Sequence, residues 1–113
     1  MTNEGPENGL PQGLQGLLQQ AQGIQKRLTE VQAEMANRTV VGEAGGGMVR
    51  VTVNGRQEVL RIEIEPEVID PNEREMLQDL IVAATNVALR MASEMVAGEV
   101  GKVTGGLGIP GLF

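Results

Sequence analysis

Apolar residues in the first third of the chain recur at Leu14, Leu17, Ala21, Ile24, Leu28, Val31 and Met35, alternately three and four apart. That spacing is a heptad seam and predicts a helix over residues 11–37. Its other faces carry Gln12, Gln15, Gln19, Gln20, Gln22, Gln25 and Gln32, which are neutral and helix-tolerant, while Gly13, Gly16 and Gly23 weaken the first half. After Arg38 the period falls to two. Thr39-Val40-Val41 is a short β-branched run, Gly45-Gly46-Gly47 reads as a turn, and Val49, Val51 and Val53 alternate with Arg50 and Thr52. Asn54-Gly55 then predicts a two-residue hairpin that sets Val49 opposite Leu60. Leu60, Ile62 and Ile64 alternate with Arg61, Glu63 and Glu65 along a third strand, which Pro66 ends.

A second helix is signalled at Asp70-Pro71-Asn72-Glu73, with a capping acid, Pro at the first helical position and Glu at the third. Its seam runs Leu77, Ile81, Ala84, Ala88, Met91 and Met95 and carries the helix to about Lys102, with Gly98 and Gly101 expected to fray the far end. The fold class is therefore α+β, in the order α-β-β-β-α, with a three-stranded antiparallel sheet flanked by two long helices. A sheet this small is not stable by itself, and seamed helices that outrun their domain call for a second chain, so a homodimer is expected. Residues 1–9 read as a disordered lead-in, 10–104 as the folded domain and 105–113 as a flexible Gly/Pro apolar tail.

Composition narrows the chemistry. The 113 residues include no Cys, His, Trp or Tyr and one Phe, at position 113. Thiolate and imidazole catalysis, disulfides and the usual zinc, iron or copper sites are excluded, and no aromatic platform exists for stacking single-stranded bases. The core must be built from Val, Ile, Leu, Ala and Met. No run of eighteen apolar residues and no cationic leader occurs, so the reading is cytoplasmic, with no membrane partner.

Nine Lys and Arg oppose fifteen Asp and Glu, for a net charge of −6. Residues 67–104 hold most of this excess, with seven acids against three cations, whereas residues 10–38 carry Lys26, Arg27 and Arg38 against Glu30 and Glu34. The acidic set Glu63, Glu65, Glu67, Asp70, Glu73, Glu75 and Asp79 is explained by the polar face of a strand and by the cap and first turn of a helix, where the macrodipole favours negative charge. The triple glycine lacks the Lys and Ser or Thr of a phosphate loop and leads into a strand. The methionines at 35, 76, 91 and 95 lie in or beside the seams, where a core without aromatics needs bulk. Arg74 sits among acids and is expected in a helix-surface ion pair.

The stretch Val41-Gly42-Glu43-Ala44-Gly45-Gly46-Gly47-Met48-Val49-Arg50-Val51-Thr52-Val53-Asn54-Gly55 resembles the sheet signature of the YbaB/EbfC family of bacterial nucleoid-associated proteins. The likeness continues through Arg61-Ile62-Glu63-Ile64-Glu65-Pro66, the helical segment from Glu75 to Asn86, the Gln-rich first helix and the apolar ending Gly106 to Phe113. It implies the same α-β-β-β-α order, a homodimer with projecting helical arms, double-stranded DNA as partner and a place in the nucleoid.

On this reading the chain is not an enzyme and needs no cofactor, metal or small-molecule substrate. It binds DNA chiefly through backbone phosphates, with Lys26, Arg27, Arg38, Arg90 and Lys102 as the contacting cations, and contributes to nucleoid organisation and gene regulation. An alternative from another class is an interaction adaptor whose helical arms or C-terminal tail grip another protein, with DNA association weak or indirect. The acidic balance and the GGLGIPGLF ending favour that alternative.

Overall fold

A computed structural model of the protein describes residues 12–105; the expected lead-in at 1–9 and the tail beyond Gly105 lie outside them. Helix α1 covers Gln12–Ala36, strands β1, β2 and β3 cover Thr39–Ala44, Val49–Asn54 and Val59–Ile64, and helix α2 covers Arg74–Gly105 after two short 3-10 turns at Pro66–Val68 and Pro71–Glu73. The element order is the one the periodicities predict. The sheet is antiparallel in the order β1-β2-β3.

Strand alternation decides which face is covered. Val49, Val51 and Val53 are fully buried, and their β1 partners Ala44, Gly42 and Val40 face the same way. Against this face lies α2, through Ala84, Ala88 and Ala92, all completely buried. Small residues on both sides let helix and sheet approach closely. Leu77, Leu80, Ile81 and Leu89 seal the margins. The seam expected through Met91 turns inward at Ala92 instead, leaving Met91 exposed. A straight helix of 3.6 residues per turn drifts relative to a strict heptad, and here the fours win.

The β1–β2 turn agrees with expectation, since Gly45, Gly46 and Gly47 all take positive φ, at 65°, 67° and 91°. The β2–β3 turn does not. Val49 pairs with Ile64 and Val51 with Ile62, with a bulge at Thr52/Val53, so the two-residue loop and the Val49–Leu60 pairing are replaced by a longer turn. The cause is Asn54, whose buried side chain accepts the backbone N–H groups of Arg56 (2.9 Å) and Glu58 (3.1 Å) and donates to the Glu58 carboxylate (2.7 Å). That side-chain network supports an open turn in which Gln57 takes a φ of 62°. The register shift is an even number of residues, so Ile62 and Ile64 keep their expected face.

Asp70 is a cap as expected, its Oδ1 accepting the Asn72 N–H at 2.9 Å, but of the 3-10 turn Pro71–Glu73 that leads into α2 at Arg74. Gly98 and Gly101 do not end the helix, which continues to Gly105. The far half of α2 packs along α1, while α1 ends on the sheet where Met35, buried, accepts the Gly55 N–H on its carbonyl at 3.0 Å. By contrast, α2 covers chiefly β1 and β2, with Ile64 of β3 drawn into the edge of the same core. Ile62 remains 43% exposed, with Val59 and Leu60 also open. The most apolar eighteen-residue window of the second helix, a mean hydropathy of 1.4, suits a bilayer by length and composition, and only 17% of it is buried within the chain.

Candidate nucleic-acid interface

The five cations expected to meet DNA fall into two electrostatic groups. Lys26 and Arg27 stand on the exposed surface of α1, Arg38 follows its last turn, and Arg90 and Lys102 lie on α2. Arg27 pairs with Glu30 (3.5 Å) and Glu34 (3.6 Å), acids one and two turns further along its own helix. Arg38 and Lys102, far apart in sequence, meet on one carboxylate, that of Glu99, at 3.7 Å and 3.0 Å. Among the described residues Lys26 and Arg90 make no ion pair. Arg90 stands more than two helical turns before Glu99 and is not brought into that cluster.

Glu99 is the centre of this arrangement, and nothing local in the sequence marks it beyond its i,i+3 relation to Lys102. The Lys102 hydrogen bond and charge hold its carboxyl below the ordinary carboxylate range; partial burial opposes this, and the Arg38 and Arg27 charges reinforce it. Arg27 also lines, with Gln20, Gly23, Ile24, Lys102 and Val103, the open depression between the helices in which Glu99 lies. α1, the α1–β1 junction and α2 thus converge on one acid.

Other cations are placed differently from expectation. Arg74 makes no ion pair among the described residues, a correction to the surface pair expected there; Glu73 and Glu75 are its immediate neighbours in sequence, and adjacent residues do not face each other on a helix. Arg50, on the open face of the sheet, takes both strand acids, Glu63 and Glu65, at 3.8 Å each. Arg56 was missed by the sequence reading. It lies exposed on the Asn54 turn, lining a depression with Ser93, Val96 and Ala97 of α2, and has no ion pair among the described residues. Its only sequence signal is its place directly after Asn54-Gly55.

The arrangement can hold anions. Among the described residues no group of three acid, His or Cys side chains gathers as a metal site. Exposed Gln19, Gln20, Gln22 and Gln25 along α1 supply uncharged hydrogen-bonding groups beside the cations.

The family model for the YbaB/EbfC DNA-binding family matches residues 11–107. A protein of Alkaliphilus metalliredigens described as a nucleoid-associated protein is 50% identical over 108 residues, covering 96% of this chain and 95% of its own. Another of the same description, from Syntrophobacter fumaroxidans, is 55% identical over 95 residues, covering 84% of this chain and 86% of its own. The crystal structure of an uncharacterized protein from Helicobacter pylori matches with a TM-score of 0.58 at 22% identity, covering 69% of this chain and 90% of that one; at that identity it is a likeness of fold.

Proposed function

The chain belongs to the YbaB/EbfC DNA-binding family, a family of DNA-binding proteins and not of enzymes, and on that premise we propose that it is a nucleoid-associated protein of the bacterial cytoplasm that binds double-stranded DNA as a homodimer. The observation that carries this reading is the extent of the likeness, about half of all residues over nearly the whole chain, to proteins described as nucleoid-associated. Binding runs mainly through backbone phosphates, and Lys26, Arg27, Arg38, Arg90 and Lys102 supply the charge. Its consequence in the cell is a contribution to nucleoid organisation and to gene regulation.

The second copy is supported by the apolar surface that one chain leaves open. Ile62 and Leu60 on β3 are uncovered beside a sheet face that α2 seals elsewhere, and Met76, Val82 and Met91 of α2 are also exposed. A twofold-related copy would cover Leu60 and Ile62 of β3 and the exposed Met76, Val82 and Met91 of α2, and bring each cation in twice, which offsets the sparse basic residues of one chain.

Fluorescence anisotropy of a labelled duplex of a few dozen base pairs, titrated at about 50 and 200 mM salt, tests the proposal, with mass-resolved chromatography reporting the oligomer. Saturable binding that falls steeply with salt is expected. Absence of binding at low salt by a confirmed dimer overturns it and leaves the adaptor reading, which the ion pairing of Arg27, Arg38 and Lys102 favours.

A further inference from the structure

We infer that Glu99 holds the place of a DNA phosphate among Arg27, Arg38 and Lys102, so that the protein carries its own competitor for the DNA backbone. This inference rests on the DNA-binding reading and specifies how one of its contacts is controlled.

Carboxylate and phosphodiester groups offer the same thing to Lys and Arg, anionic oxygens at hydrogen-bonding distance. Lys102 Nζ lies 3.0 Å and an Arg38 guanidinium nitrogen 3.7 Å from the same oxygen, Glu99 Oε1. The layering is unequal: the Glu99 side chain is 24% exposed, whereas those of Arg38 and Lys102 are 56% and 75% exposed. The acid therefore lies beneath cations that reach outward, where an external anion can meet them. Space is available beside them, because a side-chain atom added at Gly23, on the wall of the same depression, would meet nothing within 4 Å.

Charge bookkeeping makes the competition matter. Arg27 takes both Glu30 and Glu34 while Arg38 and Lys102 share Glu99, so these three cations and three acids together carry no net charge at rest. Exposed pairs of this kind are weak, and a phosphate can displace the carboxylate at modest cost. The cations are thus held together for an anion but held back from binding any anion tightly. Affinity is set lower than the number of cations implies.

Removing the Glu99 charge while keeping its shape separates this role from a bulk charge effect. Glu99→Gln is compared with Glu94→Gln, which removes the same charge from an exposed site on the same helix with no ion pair among the described residues. In anisotropy titrations with a labelled duplex, E99Q should bind several-fold more tightly at about 50 mM salt and steepen the dependence of log K on log salt by about one per freed cation, whereas E94Q should change the slope little. The gain of E99Q should vanish in a chain that also carries Arg38→Ala and Lys102→Ala. Thermal unfolding confirms that each variant is folded, with Glu99→Ala as a second charge-removing variant. Equal gains from E94Q and E99Q, or weaker binding by E99Q, overturn the inference while leaving DNA binding intact. Failure of the wild type and of both variants to bind at low salt overturns the DNA-binding reading itself, and the inference with it.

Discussion

Gly42 on β1 and Ala88 on α2 approach so closely that no side-chain atom fits between them: a Cβ at Gly42 would collide with the Ala88 backbone nitrogen and lie 2.6 Å from the Ala84 carbonyl oxygen. The contact is with helix backbone, which cannot swing aside as a side chain can. Gly42→Ala should therefore cost about 3 kcal/mol, the upper range for overpacking, and lower Tm by roughly 10 °C or more. Thermal unfolding followed by circular dichroism checks this.

Asn54 makes three hydrogen bonds from a site that is 6% exposed. Asn54→Ala leaves the Arg56 and Glu58 N–H groups without their acceptor and should cost about 2–3 kcal/mol. In urea the midpoint should fall while the slope stays unchanged, since the turn loses support without altering the surface exposed on unfolding.

Lys26 and Arg90 are free of ion pairs among the described residues and need displace no internal partner to meet a phosphate. Replacing both with Ala should weaken duplex binding uniformly across sequences and reduce the salt slope by about one per residue lost. An unchanged slope in a salt titration would remove them from the interface.

Dependence on pH follows from composition and from Glu99. The chain has no His or Cys, the side-chain types whose ordinary pKa lies nearest neutrality, so DNA affinity should be flat between about pH 6 and 7.5. Lys102, and then Arg38 and Arg27, hold the folded-state pKa of Glu99 below its ordinary value of 4.5. A depressed acid stabilises the fold above its unfolded pKa, and that contribution is lost as pH falls through the lower, folded value. The tie from Glu99 to Arg38 and Lys102 should thus persist to about pH 4.5 and weaken only below it. NMR titration of the Glu99 side chain, in the wild type and in Lys102→Ala, measures the shift directly.

Ile62 tests the second copy. It is exposed in one chain, so Ile62→Asp should leave the fold intact while placing a charge on the surface proposed to be shared. The variant should elute as a monomer in mass-resolved chromatography and lose most of its duplex affinity.

Much of this architecture was legible in the sequence, because local chemistry and global structure agree at those points. The α1 seam ending in buried Val31 and Met35, the triple-glycine turn, the alternating valines and the Asp70 cap are each decided within a few residues. Features set by distant partners were not legible. Asn54-Gly55 signals a two-residue turn unless the Asn side chain itself takes the backbone donors, as it does here. Ala92 replaces Met91 in the core because the face of α2 buried against the β2 valines recurs every four residues, at Ala84, Ala88 and Ala92. The meeting of Arg38 with Glu99 depends on how two helices lie together, and spacing along the chain carries no trace of it.

The largest fully buried side chains are those of Val31, Val49, Val51 and Val53, and three alanines complete the helix side of the core. Unfolding such a core uncovers little hydrocarbon, and uncovered hydrocarbon is what raises the heat capacity of the unfolded chain. For one chain taken alone, the curve of stability against temperature is accordingly expected to be low and broad, with a margin that changes little from a cold environment to a warm one.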